Sequence, residues 1–282
     1  MISEERSKEL EIFALKIRIE TLKEIGGLGF GHIGGAMSIV DTLSVLYGGV
    51  MNIDPKDPKW EDRDWLVVSK GHAGPAVYAA LALRGYFPLE ELKTLNTPGT
   101  HFPSHCDRNL TTGIDMTTGS LGQGASLAVG VALGNLMDNR SSSTYLVLGD
   151  GECQEGQVWE AAMFAAQHKL DNLIAFVDDN KQQLDGYTRD INDLIDVRLK
   201  FESFGWHAQR IDGSNVSDIY DAIAAAKAEK SKPSVIVLDT IKGKGCTFAE
   251  GVLDNHHMVV SKDQYEEALK ALEEKLERKM KA

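Results

Sequence analysis

The 282 residues carry 43% hydrophobic and 26% charged side chains, an ordinary globular balance that excludes disordered, collagen-like and disulfide-scaffold classes. A chain of this length buries roughly three-quarters of the surface that its unfolded form exposes, so it needs no covalent staples to fold. The formal net charge of −12 weighs against a nucleic-acid partner, whose backbone requires a basic face.

Cys106, Cys153 and Cys246 lie far apart without CxxC or Cys/His ligand spacing, so neither a zinc site nor a disulfide framework is expected. No stretch approaches the apolar length of a membrane span, and Met1 to Lys8 lack the apolar run of a secretory signal. A cytoplasmic protein with no membrane partner is the expectation.

From Arg6 to Ile25, Leu10, Phe13, Ile17 and Leu22 recur at helical spacing, which predicts a long amphipathic helix ended by a glycine-rich turn. A second helix is predicted over Ile39 to Tyr47, then a strand at Trp65-Leu66-Val67-Val68 and a helix over Pro75 to Leu83. Pro98 to Gly124 is rich in Gly, Thr and Ser and nearly without periodicity, the mark of a functional loop inside a compact unit. From Ser126 the pattern becomes regular. A helix to Met137, the run Tyr145 to Leu148, a helix near Gln157 to His168, and the run Leu173 to Val177 come first. Trp206 to Ile211, a helix from Val216 to Lys230 and the run Ser234 to Leu238 complete the alternation. The stretch from Asp263 places Leu269, Leu272 and Leu276 on one helical face, suited to packing or to a partner. Continuous apolar strands alternating with helices predict a doubly wound α/β fold, a mostly parallel sheet covered on both faces. No linker or repeat divides residues 1–282, so a single domain is expected, with ligands at the carboxyl ends of its strands.

Two acidic clusters stand at those ends: Gly149-Asp150-Gly151-Glu152 and, about one β-α-β unit later, Asp178-Asp179-Asn180. The glycines permit close backbone approach, Asp150 offers a hard oxygen suited to Mg²⁺ or Ca²⁺, and Asn180 adds a neutral one. The helix that follows the first cluster turns its N-terminus towards the same crevice, which favours an anion there. Four loop histidines, His32, His72, His105 and His256, could donate to a hydroxyl or move a proton near neutral pH. Gly29-Phe30-Gly31-His32-Ile33-Gly34 spells GxGxxG but follows a helix instead of a strand, so dinucleotide geometry is not expected.

Gly149-Asp150-Gly151 with Glu155-Gly156, continuing to Asn180, resembles the thiamine diphosphate fingerprint of the N-terminal portion of transketolases. Further matching segments are Gly31 to Gly35, Met51 to Pro55, Arg63-Asp64, Ser69-Lys70-Gly71-His72, Thr117 to Gly124 and Thr240 to Gly245. The resemblance implies Mg²⁺ held by Asp150, Asn180 and the Gln182 carbonyl. It places the cofactor diphosphate at Gly149 and the Gly151 amide, and Gly119, Ser120 and Leu121 beside the cofactor. It implies that His32, His72 and His105 line the substrate channel, His72 nearer the phosphates, and that His256 rather than His257 is the family's final histidine. His105 matches the family's His-Pro-Glu, which reads His105-Cys106-Asp107 here, and His101 competes for the role. Glu155, read as one turn into the helix, would link two cofactor sites across a subunit interface.

In that family a glutamate in a separate pyrimidine-binding domain activates the cofactor, and the matched region stops before it. The resemblance therefore implies the N-terminal subunit of a split transketolase, transferring a two-carbon ketol unit between sugar phosphates. A C-terminal partner subunit would complete it, as a heterotetramer. The alternatives are a non-catalytic, cofactor-binding regulatory subunit or one like part of a deoxyxylulose phosphate synthase.

Overall fold

The computed structural model describes residues 2–282. Helix α1 (Glu4–Leu28) leads through the short strand β1 (Phe30–Gly31) to helices α2 (Ile33–Ser38) and α3 (Val40–Val45) and then to β2 (Trp65–Val68). Helices α4 (Gly74–Arg84) and α5 (Gln123–Met137) precede β3 (Thr144–Gly149), and α6 (Gly156–Gln167) joins it to β4 (Leu173–Asp179). A hairpin of β5 (Gln182–Gln183) and β6 (Gly186–Tyr187) and helices α7 (Thr188–Ile191) and α8 (Val197–Ser203) follow. The last elements are β7 (His207–Asp212), α9 (Val216–Ala228), β8 (Ser234–Asp239), β9 (Met258–Val259) and α10 (Lys262–Lys281).

Five strands form one wholly parallel sheet in the order β2-β3-β4-β8-β7. Alternate residues of each strand enter opposite cores. Tyr145, Val147, Ile174 and Phe176 pack with α1 to α4 and α9, whereas Leu146, Leu148, Ala175 and Val177 pack with α5, α6 and α8. Steps from β2 to β3, β3 to β4 and β4 to β7 run one way along the sheet, and their adjoining helices α5, α6 and α8 lie on one face. The single backward step, β7 to β8, puts α9 on the other face, as crossovers of one hand demand. The doubly wound α/β expectation therefore holds.

The chain leaves β2 towards the α4 face but leaves β3 towards the α6 face, so a crevice opens where the exits diverge. The register sets Gly149 beside Asp178 and Asp178 beside Leu238, which brings the ends of β3, β4 and β8 level at that crevice.

Two expectations change. The glycine-rich turn expected after α1 contains a further short helix, α2, ending at Ser38, whose hydroxyl bonds back to the Gly35 carbonyl and also to Asp178; the helix predicted over Ile39 to Tyr47 follows as α3 and a π-helical turn, Leu46–Val50. A serine bonding back along its own helix bends it, and this one is also pulled towards β4. Glu155 is not one turn into a helix. A 3₁₀ turn, Gly151–Gln154, intervenes, and Glu155 is the extended N-cap of α6.

Candidate active site

Four strand ends and two distant loops converge on a cavity of about 320 Å³ whose wall includes His32, His72, His105, His256, Lys70 and Lys242. Local pairing explains how far-separated segments meet. Strand β1 pairs antiparallel with β9, Phe30 opposite Val259 and Gly31 opposite Met258, so His32 lies beside His256 and His257. Their ring centroids are 5.4 Å and 4.7 Å from that of His32. His105 is stitched in by its neighbour: the Cys106 amide donates to the Gly71 carbonyl at 3.2 Å, and the Cys106 carbonyl accepts from Thr118 at 3.0 Å. Gly119, at φ +142°, lies so close that a Cβ there would come within 2.9 Å of the His105 ring. A Cβ on Gly35 would meet His72 Nε2 at the same distance, so both glycines hold open the space that the imidazoles occupy.

These imidazoles are neutral at pH 7. Burial, then the charges of His257, His105 and Lys242, lowers His32 to about 4, and burial followed by Lys242 lowers His256 to about 3. His72 and His105 are lowered too, chiefly by burial. Lys242 Nζ lies 3.4 Å from His256 Nδ1, so Nδ1 accepts and Nε2 carries the proton. His256 therefore offers a polyhydroxylated molecule its Nε2–H donor, while His105, whose Nδ1 is paired with Ser104 Oγ at 2.9 Å, offers its Nε2.

At the cavity floor Asp150 is 4% exposed, its Oδ1 accepts from the Gly151 amide at 2.8 Å, and its buried Oδ2 has no partner. Burial and the nearby Asp178 raise this carboxyl to about 7. Such an oxygen suits a cation, which supplies the missing partner and favours the charged form. Asn180 Nδ2 donates to Asp178 at 2.9 Å and Asn180 Oδ1 accepts from the Gln182 amide at 3.1 Å. The Gln182 and Gln183 carbonyls face the Lys242 ammonium at 3.4 and 3.5 Å, so the site already accommodates positive charge there. One carboxylate, one amide oxygen and one carbonyl fit Mg²⁺, which keeps remaining positions for phosphate oxygens. Among the described residues no group of three His, Cys, Asp or Glu side chains could hold a metal.

Leu121, Gly149, Gly151 and Glu155 also line the cavity, while exposed Ser120 turns away to accept from Gln123 Nε2 at 3.3 Å. His101 is exposed and outside the cavity wall, so the geometry favours His105 over it. A larger cavity of about 600 Å³ opens on the other side of Asp150 beneath residues 187–197, without any histidine.

Three contributors stood in segments that the sequence reading marked but were given no role there. Lys70, 2% exposed, pairs with Asp178 at 2.5 Å, and Asp178 also accepts from Ser38, Thr240 and Asn180. Burial alone would raise Asp178, but Lys70 and these donors hold it below the usual carboxylate range. Lys242 is likewise buried, and burial followed by Lys70 lowers it to about 8. Glu152 accepts from Ser69 Oγ, from the Gly122 amide at 2.8 Å and from the Gly149 amide at 3.0 Å, so one carboxylate ties three site loops together. The available signal for both lysines was a cation two or three residues beyond an apolar strand.

Residues 11–279 match the family described as transketolase, thiamine diphosphate binding domain. The 6-deoxy-6-sulfo-D-fructose transketolase subunit SqwG of Clostridium sp. (strain MSTE9) is 55% identical over 95% of this chain and 98% of that protein. An apulose-4-phosphate transketolase subunit of Phocaeicola vulgatus is 36% identical over 95% of each. Transketolase from Pichia stipitis in complex with sedoheptulose-7-phosphate superposes with a TM-score of 0.86 at 30% identity, over 98% of this chain and 45% of that one. The chain thus spans less than half of that solved protein. It belongs to the transketolase family, as the thiamine-diphosphate-binding N-terminal subunit of a transketolase-like transferase.

Proposed function

We propose that this chain acts as one cofactor-binding unit that holds Mg²⁺ and thiamine diphosphate and, with a pyrimidine-binding partner subunit, moves a two-carbon ketol unit from a ketose to an aldose. The observation that carries this is the unpartnered, buried Asp150 Oδ2 beside Asn180, in the cavity that also collects four neutral imidazoles and two buried ammonium groups. Asp150, Asn180 and the Gln182 carbonyl hold the metal, while Gly151 N–H, Lys70 and Lys242 meet the diphosphate. When bound, the cofactor supplies the nucleophilic thiazolium carbon. His32 and His105 then orient sugar hydroxyls and accept or return protons at the hydroxyl oxygens, a role neutral imidazoles can fill in both directions, while His256 donates from its Nε2–H. His72, nearer Lys70, serves the cofactor end.

The terminal group of the sugar is anionic in this reading. The 55% identity to a sulfo-fructose transketolase subunit makes a 6-sulfo-ketose the first donor to assay, with ketose phosphates beside it.

An exposed apolar face supports a partner. Leu127 and Met137 on α5 and Met163 and Phe164 on α6 are each at least 39% exposed, and the segments that lead into these helices, at Leu121 and Glu155, line the cofactor cavity. We assign that face to subunit contact, place Glu155 at its edge as the link between sites, and expect a cytoplasmic heterotetramer of two-fold symmetry. No helix among the described residues is long and apolar enough to cross a membrane. The test is calorimetry of Mg²⁺ and thiamine diphosphate with the assembled complex. Unchanged affinity after Asp150→Ala would overturn the metal assignment.

A further inference from the structure

A second cavity, about 450 Å³, lies between α1 and the last turns of α10. Five cationic side chains from three parts of the chain converge on it: Arg18 from α1, Lys244 after β8, and Lys275, Arg278 and Lys279 from α10. The dipole of α10 accounts for cations on its last turn. It does not account for the arrival of Arg18 and Lys244 from elsewhere.

Three side-chain carboxylates line the same cavity, so five cations face three anions. Asp41 accepts both guanidinium nitrogens of Arg18, at 3.1 and 2.6 Å; Glu11 pairs with Lys279; Glu250 accepts from the Gly245 amide at 2.7 Å. Lys244 is half-buried, held by the Ser214 carbonyl at 3.3 Å and lying 3.8 Å from the shared Asp41. Lys275 and Arg278 have no carboxylate within ion-pair distance among the described residues. Burial lowers Lys244, and although Asp41 and Asp212 oppose this, the charges of Arg18 and Lys275 add to it, so three cations share one space. In a chain of net charge −12, such local convergence runs against the overall field.

We infer that this cavity is a second anion site, which takes a tetrahedral oxyanion, a phosphate or a sulfonate, attached to a small polar body. Lys275 and Arg278 supply the free charges, Lys244 adds a third at the cavity wall, and Arg18 is held in place by Asp41. The volume exceeds what a bare oxyanion fills and falls within the range of small-molecule pockets. The site is separate from the cofactor cavity but shares a segment with it, since Lys242 faces one cavity and Lys244 the other.

The experiment is calorimetric titration of the full chain with inorganic phosphate and, separately, methanesulfonate, at ionic strength held constant with potassium chloride. Lys275→Gln with Arg278→Gln removes the free charges, and Lys262→Gln with Lys281→Gln, highly exposed on the same helix, controls for diffuse electrostatics. Any uptake in the cofactor cavity is common to all three proteins and cancels in the comparison. The cavity variant should lose about tenfold or more in affinity at one site, with the control unchanged. Loss for phosphate alone assigns phosphate esters, and loss for both anions assigns oxyanions generally. Superimposable isotherms for the wild type and the cavity variant, or an equal loss in the control, would overturn the proposal.

Discussion

Asp150 combines burial, an unpartnered oxygen and a carboxyl raised to about 7. It must shed a proton to take a metal, so Mg²⁺ affinity of the complex should fall about tenfold for each pH unit below about 7. Calorimetry in two buffers of different ionisation enthalpy measures the proton release directly; zero release at pH 6 would contradict it. Asp150→Ala should lower Mg²⁺-dependent cofactor affinity by about 100-fold or more, Asn180→Ala by less, and neither should unfold the chain. The imidazoles make stability, too, fall with falling pH. His32 and His256 sit below their ordinary 6.5 in the fold, so between pH 6.5 and about 4 the unfolded chain binds more protons than the folded one. Their contribution is complete above pH 6.5 and is lost as the pH falls through that window. Tm measured from pH 7.5 to 4.5 should therefore drop less steeply in His256→Asn than in the wild type, and parallel curves would refute the assignment. His105→Ala should lower kcat/KM for the sugar by about 100-fold while leaving cofactor affinity unchanged. Cys106 bears on the same point: where the family has a proline, its amide donates to Gly71, a bond that proline lacks the N–H to make, and so His105 keeps its place without the family's residue.

At the scale of elements, the β1–β9 pair and the Glu152 knot hold loops that have little structure of their own. Residues 95–122 contain no helix or strand, yet Glu152 anchors the Gly122 end and Cys106 the middle. Glu152→Gln replaces two acceptor oxygens with one, leaving at least one of the three donors unpaired, at about 1–3 kcal/mol for a buried group. Thermal unfolding should show that loss together with weaker cofactor binding, whereas intact stability and affinity would reduce Glu152 to a bystander. On α6, Met163→Glu alters an exposed apolar position and leaves the Phe164 ring stacked on His168. It should weaken the association of the two subunits in sedimentation and leave the Tm of the isolated chain within about 0.5 kcal/mol equivalent, the usual range for surface changes. Undiminished assembly would move the interface elsewhere.

For the molecule as a whole, the proposed function puts a diphosphate, a metal and sugar hydroxyls in one cavity and expects the pyrimidine-activating glutamate from the partner. The isolated chain should show no ketol transfer even with saturating Mg²⁺ and thiamine diphosphate. Titrating in the pyrimidine-binding subunit should restore turnover, with light scattering reporting two copies of each chain. Full turnover by the isolated chain would contradict the shared site, and a partner that binds without conferring activity would favour a regulatory subunit.

The sequence by itself determined the alternation of strands and helices, because each parallel strand is a short apolar run, such as Tyr145 to Leu148, that needs cover on both faces. It also marked Asp150 and Asn180, since strand ends in such a fold are where ligands bind. Tertiary structure alone decided that His105 rather than His101 faces the cavity, because backbone bonds from Cys106 to Gly71 and Thr118 fix that loop. It alone revealed the two-residue pairing of β1 with β9, too short to leave a periodic signal, which carries His32 to His256. The ammonium groups of Lys70 and Lys242 became legible only there as well. Hydropathy reads a lysine as surface, and nothing but the surrounding carboxylate and carbonyl oxygens makes its burial tolerable.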